Sequence, residues 1–192
     1  MSKEGEFSYQ SCLVGLTVMG VSYTEQDPVR VADNPDCGMT HPFLVTEIQP
    51  DLIIAGEGGR MRCETALQLA LWTRMEAQPA ARFLPGAPEI TEILPGSVYE
   101  CRERVGGHSG KLSEHALGNT FDIMGLRFSN GSEMMIALRN DTGGVEEAFQ
   151  KAIRYGACLY FTTVLGPGSN AAHDDHMHFD IMTRRNGWRL CE

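Results

Sequence analysis

The chain has 192 residues, the length of one ordinary domain, with 42% hydrophobic and 21% charged residues, so it is globular rather than disordered. Its formal charge of −9 argues against binding to nucleic acid or to an anionic membrane, because neither supplies a counter-charge. The longest apolar run, Leu13 to Val21, is about half the ~20 residues of a membrane-spanning helix. We therefore expect a single domain over residues 1–192, monomeric and without a transmembrane segment.

Residues 1–8 are polar and do not resemble a signal peptide. We expect them to be a disordered or vector-derived end, from which any export signal has been removed. The predicted elements then begin with a short helix or strand over residues 9–21, which ends at Gly20. A helix is predicted over residues 61–77, where apolar residues recur at spacings of three and four, and we expect Pro79 to end it.

The second half of the chain is richer in strand signals. Asn130-Gly131 predicts a hairpin, and residues 145–155 predict a helix with Gly156 as its C-cap. The glycine-rich range 102–112 predicts a loop. The predicted strands cover residues 89–94, 98–101, 120–126, 134–138, 159–164 and 176–182. Strands grouped with a few separate helices indicate an α+β domain with a central antiparallel sheet and flanking helices.

Six cysteines are scattered along the chain without a CxxC pair, which argues against a zinc ribbon or a thioredoxin-type pair. An even, scattered set favours three disulfides and an oxidising compartment, whereas six reduced, buried cysteines in a cytosolic protein are the alternative. We expect a periplasmic or secreted protein. The proposed pairs, one of 15 possible pairings, are Cys12–Cys37, Cys63–Cys101 and Cys158–Cys191.

Four of the six histidines lie in two short clusters, within residues 113–122 and 173–180. A catalytic zinc site needs three nitrogen or oxygen ligands and one open position, and His115, Asp122 and His178 can supply those ligands. The chain has no HExxH motif, so it is not a thermolysin-type protease.

The last predicted strand places its polar and apolar side chains on opposite faces. Alternation puts His176, His178 and Asp180 on one face, and Met177 and Phe179 on the other face, which belongs to the core. A polar face backed by an apolar one suits a site mounted on a sheet. Asp175 has the wrong parity for this face, so it reaches the site only if it still belongs to the preceding loop.

These clusters resemble the motifs of a known group of enzymes. Ser113-x-His115-x-x-Gly118-x-x-x-Asp122, followed by His173-x-Asp175-His176-x-His178, is similar to the LAS group of zinc peptidases. That group includes D-Ala-D-Ala carboxypeptidases, murein endopeptidases and the hedgehog zinc domain. Longer stretches, from Cys12 to Cys191, resemble the bacterial extensin-like C-terminal domain family. These stretches include Tyr99-x-Cys101-Arg102, Leu165-Gly166-Pro167-Gly168-x-Asn170 and Gly187-Trp188-Arg189-x-Cys191.

The resemblance implies a hedgehog- or DD-peptidase-like zinc site on the sheet, with Zn²⁺ held by His115, Asp122 and His178. It also implies that Asp175 activates water in a periplasmic enzyme that cuts peptidoglycan stem peptides. The expected reaction is hydrolysis of the D-Ala–diaminopimelate cross-link (DD-endopeptidase), release of terminal D-Ala (DD-carboxypeptidase), or both. Thr120 stands where the family usually has a small alanine, a difference that concerns packing rather than chemistry.

Several roles have competing interpretations. His176 is the rival of Asp175, as a group that stabilises an oxyanion or deprotonates water, or is a structural histidine. His173 is expected to orient the base or to be a plain loop histidine. Arg102 is the candidate for binding a substrate carboxylate, with Arg104 as its competitor and a surface salt bridge as the alternative.

Ser113 either hydrogen-bonds a ligand or the substrate, or shapes the turn before His115. The alternative for the whole protein is a non-catalytic, zinc-containing module that binds the cell wall. Such a module has no need of Asp175 beside an open zinc position.

Overall fold

The computed structural model of the chain describes residues 3–104, 110–139 and 143–192, with side chains from residue 8 onward. The helices are α1 (Lys3–Met19), α2 (Cys63–Trp72), α3 (Gln78–Ala81) and α4 (Val145–Ala157). A π-helical turn, Thr73–Ala77, joins α2 to α3. The strands are β1 (Ser22–Glu25), β2 (Val29–Arg30), β3 (Gly38–Met39), β4 (Phe43–Gln49), β5 (Leu52–Ile54), β6 (Gly59–Met61), β7 (Ile90–Pro95), β8 (Thr120–Phe128), β9 (Glu133–Met135), β10 (Thr163–Leu165), β11 (Met177–Asp180) and β12 (Leu190–Cys191).

Ten of these strands form one sheet in the order β1-β4-β5-β7-β8-β11-β10-β12, with β6 paired to β4 and β9 paired to β8. Most pairs are antiparallel, whereas β5 with β7 and β10 with β12 are parallel. The short strands β2 and β3 form a separate pair. The molecule is therefore a single α+β domain, as the sequence predicts, with more sheet than helix.

The apolar residues of β11 lie in the core, as its alternation predicts. Met177 and Phe179 are fully buried. Phe179 makes an edge contact with Trp72 of α2, their ring centroids lying 5.2 Å apart, and the Trp72 indole donates a hydrogen bond to the carbonyl of Ile153 in α4. Because α2 and α4 cover this face, the polar residues of β11 point away from the helices.

Two helix predictions need correction. The first element is a helix that begins at Lys3, so residues 3–8 belong to it rather than to a disordered end; residues 1 and 2 lie outside the described part. The second helix does not end at Pro79. This residue lies in the first turn of α3, directly after the π-helical turn, and such irregular turns allow a helical chain to continue through a proline.

Gly156 is also not the predicted C-cap, because α4 continues to Ala157. A Cβ atom on Gly156 would lie 3.0 Å from Glu76 Oε2, so this glycine allows α4 to approach the π-helical turn closely.

The strand predictions differ mainly at their ends. Residues 98–101 contain no strand, and the predicted strand over 159–164 is reduced to Thr163–Leu165. The hairpin at Asn130-Gly131 is confirmed by the pairing of Leu126 with Met134. In the predicted loop over 102–112, the described residues include a bridge between Glu103 and Leu112, while residues 105–109 lie outside the described part.

All six cysteines form disulfides, but two of the three predicted pairs are wrong. The bonds join Cys12 to Cys63, Cys37 to Cys101 and Cys158 to Cys191, of which the last was predicted. The first pair forms because α1 packs on α2, a contact between elements that the spacing of the cysteines does not reveal. Three disulfides are compatible with an extracellular or periplasmic location. Among the described residues, no helix has the length and apolarity to cross a membrane.

Candidate metal centre

The three predicted metal ligands come together on the sheet. Asp122 in β8 and His178 in β11 are direct partners in the antiparallel register of the two strands. His115 belongs to the 3-10 turn Glu114–Leu117, just before β8. One donor atom from each of the three side chains can be chosen so that all lie within 4.8 Å of one another, and the group can therefore hold a metal ion.

The turn that carries His115 is defined at both ends. Ser113 caps its start, where the hydroxyl accepts a hydrogen bond from the His115 backbone N–H at 3.4 Å. Gly118 ends it with a φ of 68°, in the left-handed region that favours glycine. A Cβ atom on Gly118 would overlap the sulfur of Met39, so this buried residue of β3 packs directly on the turn.

Asp122 lies between the two histidines. Its Oδ2 atom is 3.3 Å from His115 Nε2, and its Oδ1 atom is 2.9 Å from His178 Nδ1. The side chain of His115 is 1% exposed and that of Asp122 is 6% exposed. The cluster is therefore a largely dehydrated group of two imidazoles and one carboxylate.

A further hydrogen bond orients each imidazole. His115 Nδ1 lies 3.1 Å from the carbonyl of Val98, an acceptor, so the proton resides on Nδ1 and Nε2 faces Asp122 as a bare nitrogen. His178 Nε2 lies 3.4 Å from Asp180 Oδ2, and Asp180 also accepts the backbone N–H of Met182 at 2.9 Å. Thus His115 Nε2 and His178 Nδ1 are the nitrogens that face the cluster.

The residues present fit a divalent metal ion. His115 Nε2 is buried and has no hydrogen-bond partner, because its approach to Asp122 does not have hydrogen-bond geometry. A buried polar atom without a partner is costly, and a metal ion would satisfy this lone pair. Two imidazole nitrogens and a carboxylate oxygen form a common ligand set for zinc in hydrolytic sites.

The electrostatics reflect this crowding. Burial alone would raise the pKa of Asp122, but the adjacent imidazoles of His115 and His178 outweigh it and lower that pKa well below its usual range. Burial likewise disfavours the charged form of His178, yet its hydrogen bonds to Asp122 and Asp180 raise its pKa to about 9. Without a metal, protonated His178 therefore forms an ion pair with Asp122.

His176 lies beside the cluster and Asp175 lies behind it. His176 Nε2 is 3.9 Å from Asp122 Oδ2, while its Nδ1 atom is 2.8 Å from Asp175 Oδ1. Asp175 lies in the loop before β11, which is the position from which the sequence predicts that it can reach the site. Its side chain is nevertheless 76% exposed and contacts His176 rather than the three ligands. The hydrogen bond with His176 lowers the pKa of Asp175.

His173 completes the row of imidazoles. Its ring centroid lies 5.1 Å from that of His176 and 5.6 Å from that of His178. Its Nδ1 atom is 2.8 Å from Asn170 Oδ1. Burial, followed by the positive charges of the neighbouring histidines, lowers its pKa to about 4, so His173 is neutral at physiological pH.

The arginine candidates are placed differently. Arg102 donates from Nε to Glu100 Oε2 at 2.8 Å, and its charge makes a small contribution to the lowered pKa of His173. Arg104 instead binds the carbonyl of Leu112 and the carboxylate of Glu114. The competitor Arg104 is therefore part of the support of the turn.

Sequence reasoning assigned no role to Asn119, which supports the site. Asn119 donates to Glu114 Oε2 at 2.8 Å and accepts from Arg62 at 3.1 Å. Its backbone carbonyl accepts the N–H of Ile181, which follows β11, so Asn119 joins the His115 turn to the strand of His178. Its position within the first histidine cluster, between His115 and Asp122, is the sequence feature that could have indicated this supporting role.

The family model described as Extensin-like protein C-terminus matches residues 10–192, and the chain belongs to this family. Neither a curated protein nor a solved structure matches the chain.

Proposed function

We propose that this protein is a zinc-dependent peptidoglycan peptidase of LAS type, which hydrolyses stem-peptide bonds. The observation that carries the proposal is the buried, unpartnered His115 Nε2, which faces Asp122 and His178. A zinc ion held by His115, Asp122 and His178 would supply an acidic water and a Lewis acid for the scissile carbonyl.

His176 is the residue that we assign to proton transfer. Its Nε2 atom faces the carboxylate of Asp122, and its Nδ1 atom is held by Asp175. A carboxylate that binds one imidazole nitrogen fixes the tautomer and leaves the other nitrogen as a base. In this proposal His176 Nε2 accepts the proton of the attacking water and returns it to the leaving amine, and Asp175 orients His176.

We assign Arg102 and His173 to substrate binding. The side chain of Arg102 is 30% exposed, and its guanidinium can exchange its contact with Glu100 for a substrate carboxylate. Ser113 supports the turn of His115 through its hydroxyl. The resemblance to peptidoglycan peptidases favours the D-Ala–diaminopimelate cross-link and the terminal D-Ala bond as substrates, in the periplasm or outside the cell, with the protein acting as a monomer.

The test is digestion of isolated sacculi and of defined cross-linked muropeptides with zinc-loaded protein. We expect cross-linked dimers to be converted to monomers, pentapeptide stems to lose D-Ala, or both. The same protein treated with a chelator is the control and should be inactive. Dimers and pentapeptides that stay intact while zinc is bound would contradict the proposal.

A second candidate is a non-catalytic, zinc-containing module that binds the cell wall. It draws on the exposure of Asp175, whose carboxylate does not face the three ligands. This candidate predicts that the zinc-loaded protein sediments with sacculi without cutting them. It also predicts that His176→Gln changes neither zinc affinity nor any product, whereas the peptidase requires His176 for turnover.

A further inference from the structure

The site contains four imidazoles, and only two of them belong to the candidate ligand set. The other two, His173 and His176, lie side by side with their ring centroids 5.1 Å apart. The candidate ligands His115 and His178 have almost the same separation, with centroids 5.2 Å apart. Two imidazoles that bind one zinc ion through nitrogens at ~2.0–2.1 Å have their centroids about 5 Å apart. The spacing of His173 and His176 therefore suits a shared metal ion.

An acceptor holds one nitrogen of each of these two rings. His173 Nδ1 lies 2.8 Å from Asn170 Oδ1, an oxygen that also accepts the backbone N–H of Ala172 at 3.1 Å. His176 Nδ1 lies 2.8 Å from Asp175 Oδ1. Both Nδ1 atoms therefore carry the proton of the neutral ring, and both Nε2 atoms are bare nitrogens. An outer hydrogen bond of this kind is the usual arrangement for a histidine that binds a metal.

The two Nε2 atoms are available to a ligand from solvent. Neither has a hydrogen-bond partner among the residues that the structure describes, since the nearest carboxylate oxygen to His176 Nε2, Asp122 Oδ2, lies 3.9 Å away. The side chain of His176 is 17% exposed, so an ion can reach the pair. Asp122 and Asp175 place a carboxylate near each of the two nitrogens of His176, and these negative charges favour a cation.

We infer that His173 and His176 form a second metal site, which binds one Zn²⁺ ion through their two Nε2 atoms. This site lies beside the candidate metal centre and shares none of its ligands. Two imidazoles bind zinc more weakly than two imidazoles and a carboxylate, so the second site fills only when zinc is in excess. Its effect on turnover rests on the proposed function. Because the second ion occupies His176 Nε2, the nitrogen that we assign to proton transfer, excess zinc inhibits the peptidase.

The number of zinc ions bound per chain is the direct test. Equilibrium dialysis of the full chain against increasing zinc, followed by metal analysis, should show two ions, the second bound at least about tenfold more weakly than the first. His173→Gln and His176→Gln should each bind one ion, with the affinity for the first ion unchanged. His41→Gln changes an exposed histidine whose ring contacts Tyr9, and this matched control should still bind two ions.

Substitutions at Asn170 test the outer hydrogen bond of His173. Asn170→Ala removes the acceptor of Nδ1 and leaves both Nε2 atoms in place, and the loss of such an acceptor typically costs about 10- to 100-fold in metal affinity. We expect this loss for the second ion and none for the first, whereas Asn170→Asp keeps an acceptor and should keep the second ion. A single ion in the unaltered protein, or a second ion that persists in His173→Gln and His176→Gln, would overturn the second site.

The second site and the proposed function fail separately. At one equivalent of zinc the unaltered protein should cut muropeptides, and filling of the second site should lower the rate about 10²- to 10⁴-fold. If two ions bind through His173 and His176 but muropeptides remain uncut at one equivalent, the peptidase proposal is wrong and the second site stands. If muropeptides are cut while only one ion binds at any zinc concentration, the second site is wrong and the peptidase proposal stands.

Discussion

His178 Nε2 lies 3.4 Å from Asp180 Oδ2, so the outer nitrogen of one candidate ligand faces a carboxylate two residues further along the same strand. Asp180 is buried and its other oxygen accepts the Met182 N–H, which fixes the direction of the carboxylate. A carboxylate in this position holds the imidazole ring in place and makes its inner nitrogen a better ligand.

Asp180→Asn should therefore weaken metal binding. The substitution keeps the size of the side chain but removes its charge, and changes of this kind typically cost about 10- to 100-fold in metal affinity. Competition with a chelator of known affinity measures the effect. Asp33→Asn, an exposed change far along the chain, is the control, and an unchanged zinc affinity in Asp180→Asn would contradict the assigned role.

Metal binding should release a proton from His178. The pKa of about 9 means that this residue is protonated at pH 7, and the metal binds Nδ1 only after the proton has left. The apparent affinity should thus rise about tenfold per pH unit and level off above pH 9. Calorimetry in buffers of different ionisation enthalpy counts the released protons, and a count of zero at pH 7 would contradict the prediction.

The raised pKa of His178 affects the stability of the metal-free protein in the opposite direction, because this stability decreases as the pH rises. The value in the folded state is raised above the ordinary 6.5, so protonated His178 contributes stability that is fully present below pH 6.5. This contribution is lost as the pH rises through 9. The free energy of unfolding of the metal-free protein, measured in urea, should therefore decrease between pH 6.5 and 9.

Substitutions at Asp175 and His176 should separate orientation from proton transfer. His176→Gln should lower kcat about 10²- to 10⁴-fold with zinc affinity unchanged. Asp175→Ala should cost less, and the double variant should be no worse than His176→Gln alone, because Asp175 acts through His176. Asp174→Asn keeps the oxygen that accepts the Gly168 N–H, and it is the matched control. Additive losses in the double variant would show that Asp175 acts independently.

Gly118→Ala should damage the turn of His115. The added Cβ both overlaps Met39 and forces a non-glycine residue to a φ of 68°, which together cost about 2–4 kcal/mol. Gly131→Ala is the control, since its φ is 82° but nothing lies within 4 Å of the new atom, so it should cost only about 1 kcal/mol. Urea unfolding compares the two variants, and equal costs would mean that the Met39 contact is unimportant.

The disulfide pattern can be checked by peptide mapping under non-reducing conditions. We expect linked peptides that contain Cys12 with Cys63 and Cys37 with Cys101, and no free thiol in the denatured protein. Replacing Cys12 and Cys63 by serine opens a loop of 51 residues, which should cost about 4 kcal/mol in the chain-entropy model. Peptides that link Cys12 to Cys37 would contradict the pairing.

The candidate ligands could be predicted because they depend on short-range regularities. The alternation of β11 and the spacing of His115 and Asp122 are properties of a few neighbouring residues, and the structure brings these side chains together as expected. The direction of Asp175 could not be predicted in this way. It depends on where β11 begins, and this boundary, at Met177, leaves the Asp175 side chain in the loop against His176.

The wrong predictions involve contacts between distant segments. The pairing of Cys12 depends on the packing of α1 on α2, and the role of Gly156 depends on the approach of Glu76. Pro79 was expected to end a helix because proline strongly disfavours the interior of a helix. The helical chain nevertheless continues beyond Pro79, through the π-helical turn next to buried Trp72. Local preferences thus predict the elements better than their ends or their partners.

The disulfides divide the chain into two covalently closed parts. Two bonds enclose residues 12–101 and the third encloses residues 158–191, while His115 and Asp122 lie in the stretch between them. A metal ion held by these two residues and His178 would act as a fourth cross-link, which joins the stretch between the two closed parts to the second of them. By the usual linkage of binding to folding, such a metal ion would then raise the free energy of unfolding of the domain.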